Sequence, residues 1–212
     1  MSNRLPMIPL GAVLVPHGVL PLHIFEPRYR VLMFDCLRHD RQFGVVLIER
    51  GHEVGGGDQR FGIGTRARIE EANELPDGRW FVLAVGIRRV VVTEWLPDDP
   101  YPVALVEDLP VPTFPTSGTA AAAAREALGT AERSVRRALE LAADTGEVIG
   151  STHFDMAPDP SIAVWQLLAV APLGSLDTQR LLEVDNHVER LRLLTESVEE
   201  RATLLGYGGG QE

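Results

Sequence analysis

VLPLHIFEPRYRVLMFDCL, residues 19–37, changes from an extended pattern to a helical one at Glu26-Pro27. A proline at the first helical position has its φ already set, and its missing N–H leaves no helical hydrogen bond unmade. Beyond it, apolar residues recur at the spacing of one helix face: Tyr29, Leu32, Met33, Cys36 and Leu37. The opposite face carries Arg28, Arg30, Asp35 and Arg38. The stretch therefore predicts an extended entry, a corner at Pro27, and a short amphipathic helix that closes over the β-structure of the first half.

The rest of the first half has the pattern of short strands. Apolar or alternating runs lie at residues 7–15, 18–25, 43–49, 61–71, 80–85, 88–94 and 103–107, with a break at Gly86. The triple glycine at 55–57 predicts a flexible loop, and Leu75-Pro76-Asp77-Gly78 predicts a tight turn. Short strands at this spacing predict a small barrel or sandwich.

The second half is helical in pattern. PVPTFP at 110–115 predicts a stiff linker, and helices are expected over about 119–143, 160–170 and 175–183 and after Asp185. Asp159 and Asp185 are the expected N-caps of the helices that follow them. We predict an α+β chain with a β-barrel domain at 1–112, a linker at 113–118, a helical subdomain at 119–207 and a flexible tail at 208–212.

Composition excludes several activities within these residues. All 20 basic residues are arginine, so the P-loop, the Ser–Lys dyad and Schiff-base catalysis lack their lysine. The formal net charge of −10 disfavours binding to nucleic acid or anionic lipid. The single cysteine, Cys36, rules out an intramolecular disulfide and suits a reducing cytoplasm. No signal-peptide or membrane-span pattern is found, and a cytoplasmic location is expected.

No catalytic or metal-binding constellation emerges. Cys36 lies on the apolar stripe, which predicts core packing rather than a reactive thiol. No two of the six histidines have the helical metal-site spacing, although His17 and His23 flank one turn. The Ser151–His153 pair lacks a nucleophile elbow, and the glycines at 62 and 64 fit close backbone approach better than a nucleotide loop. We therefore predict no catalytic residue, no metal and no cofactor.

The corner itself holds the remaining candidates. Glu26 and Arg28 flank Pro27, where they predict a structural ion pair at the start of the helix. The alternative is that these two charges contact a partner chain.

Several motifs, in order, resemble the N-terminal domain of the Lon ATP-dependent protease, and in particular stand-alone bacterial proteins with a Lon substrate-binding domain. They are MIPLG at 7–11, LVPHG at 14–18, LPLHIFEPRY at 20–29, FGVVL at 43–47, GIGTRARI at 62–69, LPDGR at 75–79 and VGIRR at 85–89. The resemblance is specific over about residues 5–110 and looser over 119–205.

The resemblance implies a PUA-like β-barrel followed by a helical subdomain. It also implies a non-catalytic module that recognises unfolded or degron-bearing polypeptide segments, or acts as an adaptor for a protease partner. In full Lon proteases an ATPase and a Ser–Lys peptidase follow this domain, and the missing lysine excludes both activities from these 212 residues. The protein-binding residues expected from it are His23, Phe25, Glu26, Arg28 and Tyr29, and the oligomeric state stays open.

Two other functions remain open from the sequence. PUA-like barrels often bind RNA, and the arginine pairs 66/68 and 88/89 are the only support for that function. The second alternative is an enzyme whose active site lies in a pocket of the barrel. An exposed Cys36 would be the first evidence for such an enzyme.

Overall fold

The computed structural model describes residues 3–50, 59–144, 146 and 153–208. The predicted glycine loop at 55–57, the Ser151 of the Ser–His pair and residues 209–212 of the predicted tail lie outside these residues. The chain divides into two compact units, residues 1–111 and 112–212. The first contains β1 (Asn3–Leu10), β2 (Val19–Ile24), α1 (Pro27–Arg38), β3 (Gln42–Arg50), β4 (Gln59–Glu74), β5 (Trp80–Trp95) and β6 (Val103–Asp108). The second contains α2 (Gly118–Asp144), α3 (Pro160–Val170), α4 (Ser175–Glu183) and α5 (His187–Gly208).

The strands of the first unit form a closed barrel with one additional strand. The sheet order is β2-β5-β4-β3-β1-β6, and β5 also pairs with β6, so β5, β4, β3, β1 and β6 make a ring. The β1–β3 pair is parallel, and the other pairs are antiparallel. β2 pairs with the first half of β5, outside the ring. The α+β fold class and the predicted barrel are confirmed.

The predicted strand break at Gly86 is wrong, because β5 runs without interruption from Trp80 to Trp95. A Cβ atom at Gly86 would lie 2.2 Å from the Val15 carbonyl oxygen. The glycine therefore admits a close approach of another segment of backbone rather than a turn.

The predicted first strand, residues 7–15, also differs from the structure, where β1 ends at Leu10. Leu14 and Val15 are buried in a loop instead. The Thr65 hydroxyl donates to the Leu14 carbonyl at 2.5 Å, and the Gly18 N–H donates to the Val15 carbonyl at 3.0 Å. A loop whose backbone N–H and C=O groups form such hydrogen bonds can be buried, and its sequence then shows the same apolar pattern as a buried strand.

Helix α1 begins at Pro27 as predicted, and its apolar face closes over the barrel. Tyr29, Leu32, Met33 and Cys36 are buried in one cluster with barrel residues that include Ile8, Phe43, Ile69 and Val82. A second, smaller cluster consists of Leu5, Met7, Val46, Val90, Ala104 and Val106. Pro27 occupies the first turn, and Arg38 lies in the last, where its charge is favourable.

The helical unit has one N-cap as predicted and one that differs. Asp159 accepts a hydrogen bond from the Ser161 N–H at 2.8 Å. Asn186, rather than the predicted Asp185, precedes the first residue of α5, and its side chain accepts hydrogen bonds from the Val188 and Glu189 N–H groups at 2.8 and 3.1 Å. Both residue types cap helices well, so the sequence alone does not choose between the two neighbours. None of the helices in the described part of the chain is long and apolar enough to cross a membrane.

The α4–α5 connection is built around a fully buried arginine, Arg190. Its guanidinium donates to the Leu181 carbonyl at 2.9 Å and to the Val184 carbonyl, and lies 3.9 Å from the Trp165 ring centroid. The same group lies 3.0 Å from His187 Nδ1. The guanidinium therefore satisfies carbonyl groups at the C-terminal end of α4 that the helix itself leaves unpaired.

Candidate functional site

The strand outside the ring, β2, has two different faces. Leu20, Leu22 and Ile24 pack toward the core, while the alternate residues Val19, Pro21 and His23 are exposed. The register places each exposed residue opposite one on β5: Val19 with Val85, Pro21 with Leu83, and His23 with Phe81. The outer face of this strand pair is therefore mostly apolar, which is unusual for a solvated sheet face.

Aromatic rings gather at one end of this face. The His23 and Phe81 rings stack with centroids 4.7 Å apart and planes 15° from parallel, and the Phe25 ring centroid lies 6.1 Å from that of His23. Phe25 and Phe81 are 52% and 51% exposed. We call the surface formed by these three rings with Val19 and Pro21 the aromatic patch.

The charged residues at the corner form the predicted ion pair. Arg28 Nε lies 3.0 Å from Glu26 Oε2, and both side chains are largely buried. The Arg28 guanidinium also lies 4.5 Å from the Tyr29 ring centroid. Tyr29 is only 6% exposed and belongs to the barrel core. Of the five predicted protein-binding residues, His23 and Phe25 thus lie on the aromatic patch, Glu26 and Arg28 brace the corner beside it, and Tyr29 supports the corner from inside.

Phe81 contributes the one ring of the aromatic patch that is not among the predicted binding residues. It lies on β5, far along the chain from His23, and only the β2–β5 register brings the two rings together. An aromatic residue at the start of a strand is a common core residue, so its sequence context carries no sign of exposure.

Helix α1 adds exposed apolar residues on the face that the sequence predicts to be charged. Val31 and Phe34 are 42% and 53% exposed. The Arg38 guanidinium lies over the Phe34 ring, 4.9 Å from its centroid, and partly covers it. Pro27, Val31 and Phe34 follow one another at helical spacing, so this exposed face is less polar than expected.

The arginines that could support RNA binding are engaged within the barrel unit. Arg66 and Arg88 both pair with Asp108, at 2.9 and 3.2 Å, and Arg68 pairs with Glu70 at 2.7 Å. Arg89 is only 2% exposed, and its guanidinium lies 3.4 Å from the Pro110 carbonyl oxygen. These guanidinium groups do not form an open basic surface of the kind that phosphate contact requires.

Cys36 is a core residue, as predicted. Its thiol is buried and donates to the Gln42 carbonyl at 3.2 Å. Burial, together with the negative charges of Asp40 and Asp35, raises the pKa of the thiol to about 12. A neutral, enclosed thiol lacks the nucleophilic character that a barrel-pocket enzyme would need.

Metal binding finds no support in the described residues. Within them, no group of three or more histidine, cysteine, aspartate or glutamate residues is placed to hold an ion. His17 occupies a turn with φ of 60°, and its backbone N–H donates to the Gly86 carbonyl at 2.8 Å. The His17–Gly18 turn therefore anchors the start of β2 on β5.

Comparison with known families identifies the chain. The family model described as the ATP-dependent protease La (LON) substrate-binding domain matches residues 4–200. The chain belongs to this family. The resemblance expected from the motifs is thereby confirmed, and the chain is placed among substrate-recognition modules related to proteases.

Curated relatives extend well beyond the matched region. Lon protease 2 of Herpetosiphon aurantiacus is 30% identical over 195 residues, which cover 91% of this chain and 23% of the relative. The Lon protease of Koribacter versatilis is 33% identical over 130 residues, covering 60% of this chain and 16% of the relative. The chain thus spans about a quarter or less of the length of these relatives.

Solved structures of Lon N-terminal domains share the fold. A Lon N-terminal domain protein from Xanthomonas campestris superimposes with a TM-score of 0.66 and 26% identity, over 92% of this chain and 98% of that one. The N-terminal domain of a Mycobacterium avium complex Lon protease gives a TM-score of 0.60 at 19% identity, over 93% of this chain and 99% of that one, and supports the fold alone.

Proposed function

We propose that this chain is a polypeptide-recognition module that binds exposed apolar segments of unfolded proteins through the aromatic patch. The observation that carries the proposal is the cluster of His23, Phe25 and Phe81 rings, exposed together in a member of the LON substrate-binding domain family. Exposed apolar clusters of this kind on soluble domains mark interaction surfaces.

The chemistry of the patch favours unfolded polypeptide over other ligands. Folded proteins bury most of their large apolar side chains, whereas unfolded segments present them in any order. Covering the exposed half of one phenylalanine ring stabilises a complex by roughly 2 kcal/mol. Two such rings beside Val19 and Pro21 are enough for weak binding of varied segments, which suits recognition without a fixed sequence.

The proposed role is to present such segments, including those that carry degradation signals, to proteolytic machinery. The relatives named Lon protease support this, because the region they share with this chain is the part described as substrate-binding. The ATPase and the peptidase would reside either in the same polypeptide or in a partner protein, for which this chain acts as an adaptor. The proposed location is the cytoplasm, which suits a protein whose single cysteine is a free, buried core residue.

The direct test is binding to a permanently unfolded protein. Labelled lactalbumin, reduced and carboxymethylated, serves as the unfolded probe, and native lactalbumin is its folded control in fluorescence anisotropy. Binding to the unfolded probe alone is expected. The Phe81→Ser variant is expected to weaken it about tenfold or more, because the lost ring contact is worth roughly 2 kcal/mol.

The matched control variant is Leu176→Ser in the helical unit. Leu176 is 58% exposed, comparable with Phe81, but it lies outside the aromatic patch. We expect this variant to bind the unfolded probe as the parent does. Equal binding of native and unfolded lactalbumin, or equal losses in the two variants, would contradict the proposed function.

A further inference from the structure

One side of β2 carries main-chain groups that no other strand of the described residues pairs with. Among the described residues, β2 pairs with β5 alone. The Gly86 N–H donates to the Gly18 carbonyl at 2.9 Å, and the pairing continues in register from Val19 to Ile24. Hydrogen-bonded pairs alternate along an antiparallel ladder, so Leu20, Leu22 and Ile24 bond toward β5. The N–H and C=O groups of Val19, Pro21 and His23 therefore point away from β5.

Pro21 fits this assignment. Proline has no N–H, and in a sheet it is tolerated where no ladder bond needs that donor, which is the outer side of an edge strand. The outer edge of β2 thus offers two N–H donors, from Val19 and His23, and three carbonyl acceptors, from Val19, Pro21 and His23.

The same proline disfavours a second copy of this chain as the occupant of the edge. If two β2 strands paired antiparallel about Pro21, the two prolines would face each other with two carbonyls and no donor between them. Such a pairing lacks both hydrogen bonds that two directly opposed residues of an antiparallel pair normally exchange. A segment with an ordinary residue at that position instead donates to the Pro21 carbonyl.

We propose that an extended segment of an unfolded polypeptide binds as an additional strand on this edge of β2. This inference rests on the proposed function and specifies its mode. Backbone bonds to Val19, Pro21 and His23 would hold segments of any sequence. Side chains on one face of the added strand would pack beside the aromatic patch, and those on the other face beside Leu20 and Leu22, which are only partly buried. The ligand class is therefore an extended, predominantly apolar segment whose own backbone is unpaired.

The mode is tested by N-methylation of a bound peptide. The unfolded lactalbumin probe is tiled as overlapping peptides, the tightest binder is selected, and each of its backbone nitrogens is methylated in turn. In an added strand, alternate N–H groups point to β2 and the others to solvent, in either strand direction. We expect affinity losses of about tenfold at every second position and small changes between them.

The protein side supplies a second test that leaves the β5 ladder intact. The Val19→Pro variant removes one donor from the outer edge, whereas Val19→Ala keeps it and only shortens the side chain. Val19→Pro is expected to bind the selected peptide about tenfold more weakly than Val19→Ala. Should Val19→Pro fail to fold, the N-methylation series on the unaltered protein still decides the question.

The outcomes separate this inference from the proposed function. Peptide binding with no two-residue alternation overturns strand addition and leaves recognition by the patch standing. A β2-mediated dimer in sedimentation analysis, competing with the peptide, overturns it as well. If no peptide of the unfolded probe binds, the proposed function and the inference fail together.

Discussion

At the scale of single residues, Arg190 shows how one side chain holds a connection in place. Replacing it with methionine keeps the length and apolar stem but leaves the Leu181 and Val184 carbonyls without their donor. A buried carbonyl that loses its partner costs about 1–3 kcal/mol. We expect Arg190→Met to lower the free energy of unfolding by about 3 kcal/mol.

Urea unfolding followed by the helical circular dichroism signal measures this loss. Arg192→Met, two residues along the same helix, is the control, because Arg192 is half exposed and pairs with Glu189 and Glu196 at the surface. It is expected to leave the unfolding midpoint nearly unchanged. Equal shifts in the two variants would show that burial of Arg190 is not what matters.

The thiol of Cys36 gives a pH-dependent prediction. Its pKa rises on folding from 9.0 to about 12, so between these values the unfolded chain releases the thiol proton and the folded chain keeps it. The unfolded state then binds fewer protons, and stability falls as pH rises, by at most about 1.4 kcal/mol per pH unit. Below pH 9 this contribution is constant.

Unfolding free energies across the alkaline range, compared with those of Cys36→Ala, check this prediction. The parent should lose stability more steeply than the variant. Burial, the hydrogen bond to Asp35 and the neighbouring Cys36 also raise the pKa of Tyr101, so removing Cys36 alters the titration of Tyr101 as well. The two proteins are therefore compared at about pH 8.5–9.5, below the ordinary pKa of tyrosine, where Tyr101 stays largely protonated. Parallel pH profiles would contradict the assignment, as would alkylation of Cys36 in the native protein near neutral pH.

At the scale of elements, two glycines of β4 differ in what they permit. A Cβ atom at Gly64 would lie 2.2 Å from the Val45 carbonyl oxygen, whereas nothing lies within 4 Å of one at Gly62. Backbone cannot move aside as a side chain can, so Gly64→Ala forces the β3–β4 pair apart. We expect Gly64→Ala to lower the free energy of unfolding by about 1–3 kcal/mol and Gly62→Ala to have little effect, as measured by denaturant unfolding. A loss in Gly62→Ala as large as that in Gly64→Ala would show that strand propensity, and not the close approach, is responsible.

Elements defined by local signals are predicted well from this sequence. α1 follows from Pro27 and the apolar spacing after it, and α3 follows from the Asp159–Pro160 cap. The turn at 75–78 closes with a Gly78 N–H bond to the Leu75 carbonyl at 2.8 Å. In each of these, the physical cause lies within a few residues of its effect.

Features that depend on distant pairing are not predictable in this way. The continuity of β5 through Gly86 depends on the Val15 carbonyl, and the aromatic patch depends on the register that brings Phe81 to His23. Periodicity reports whether a residue faces one side of a strand, but it does not report whether another segment covers that side. The exposure of Phe81, and the burial of Arg190, therefore require the tertiary structure.

At the scale of the whole molecule, charge gives a prediction about nucleic acid. The chain has a formal net charge of −10, and the arginines at 66, 68 and 88 are paired with carboxylates in the barrel unit. Phosphate contacts would have to break these pairs against an unfavourable overall charge. We expect no salt-sensitive shift of RNA in gel electrophoresis at low ionic strength. A shift that weakens with added salt and disappears in an Arg88→Ala variant would restore the RNA-binding alternative.

The adjacency of β1 and β6 in the barrel has a consequence for synthesis on the ribosome. Asn3 lies opposite Val106, so the first of the described barrel strands to be made is a neighbour of the last of them. Parallel pairing of β1 with β3 can form earlier, but the ring cannot close until residue 108 has left the exit tunnel. Throughout that interval the nascent chain has open strand edges and uncovered apolar side chains, the condition in which chains aggregate. A protein proposed to recognise unfolded segments would thus resemble its own clients until the barrel closes, and it would then depend on other factors for protection.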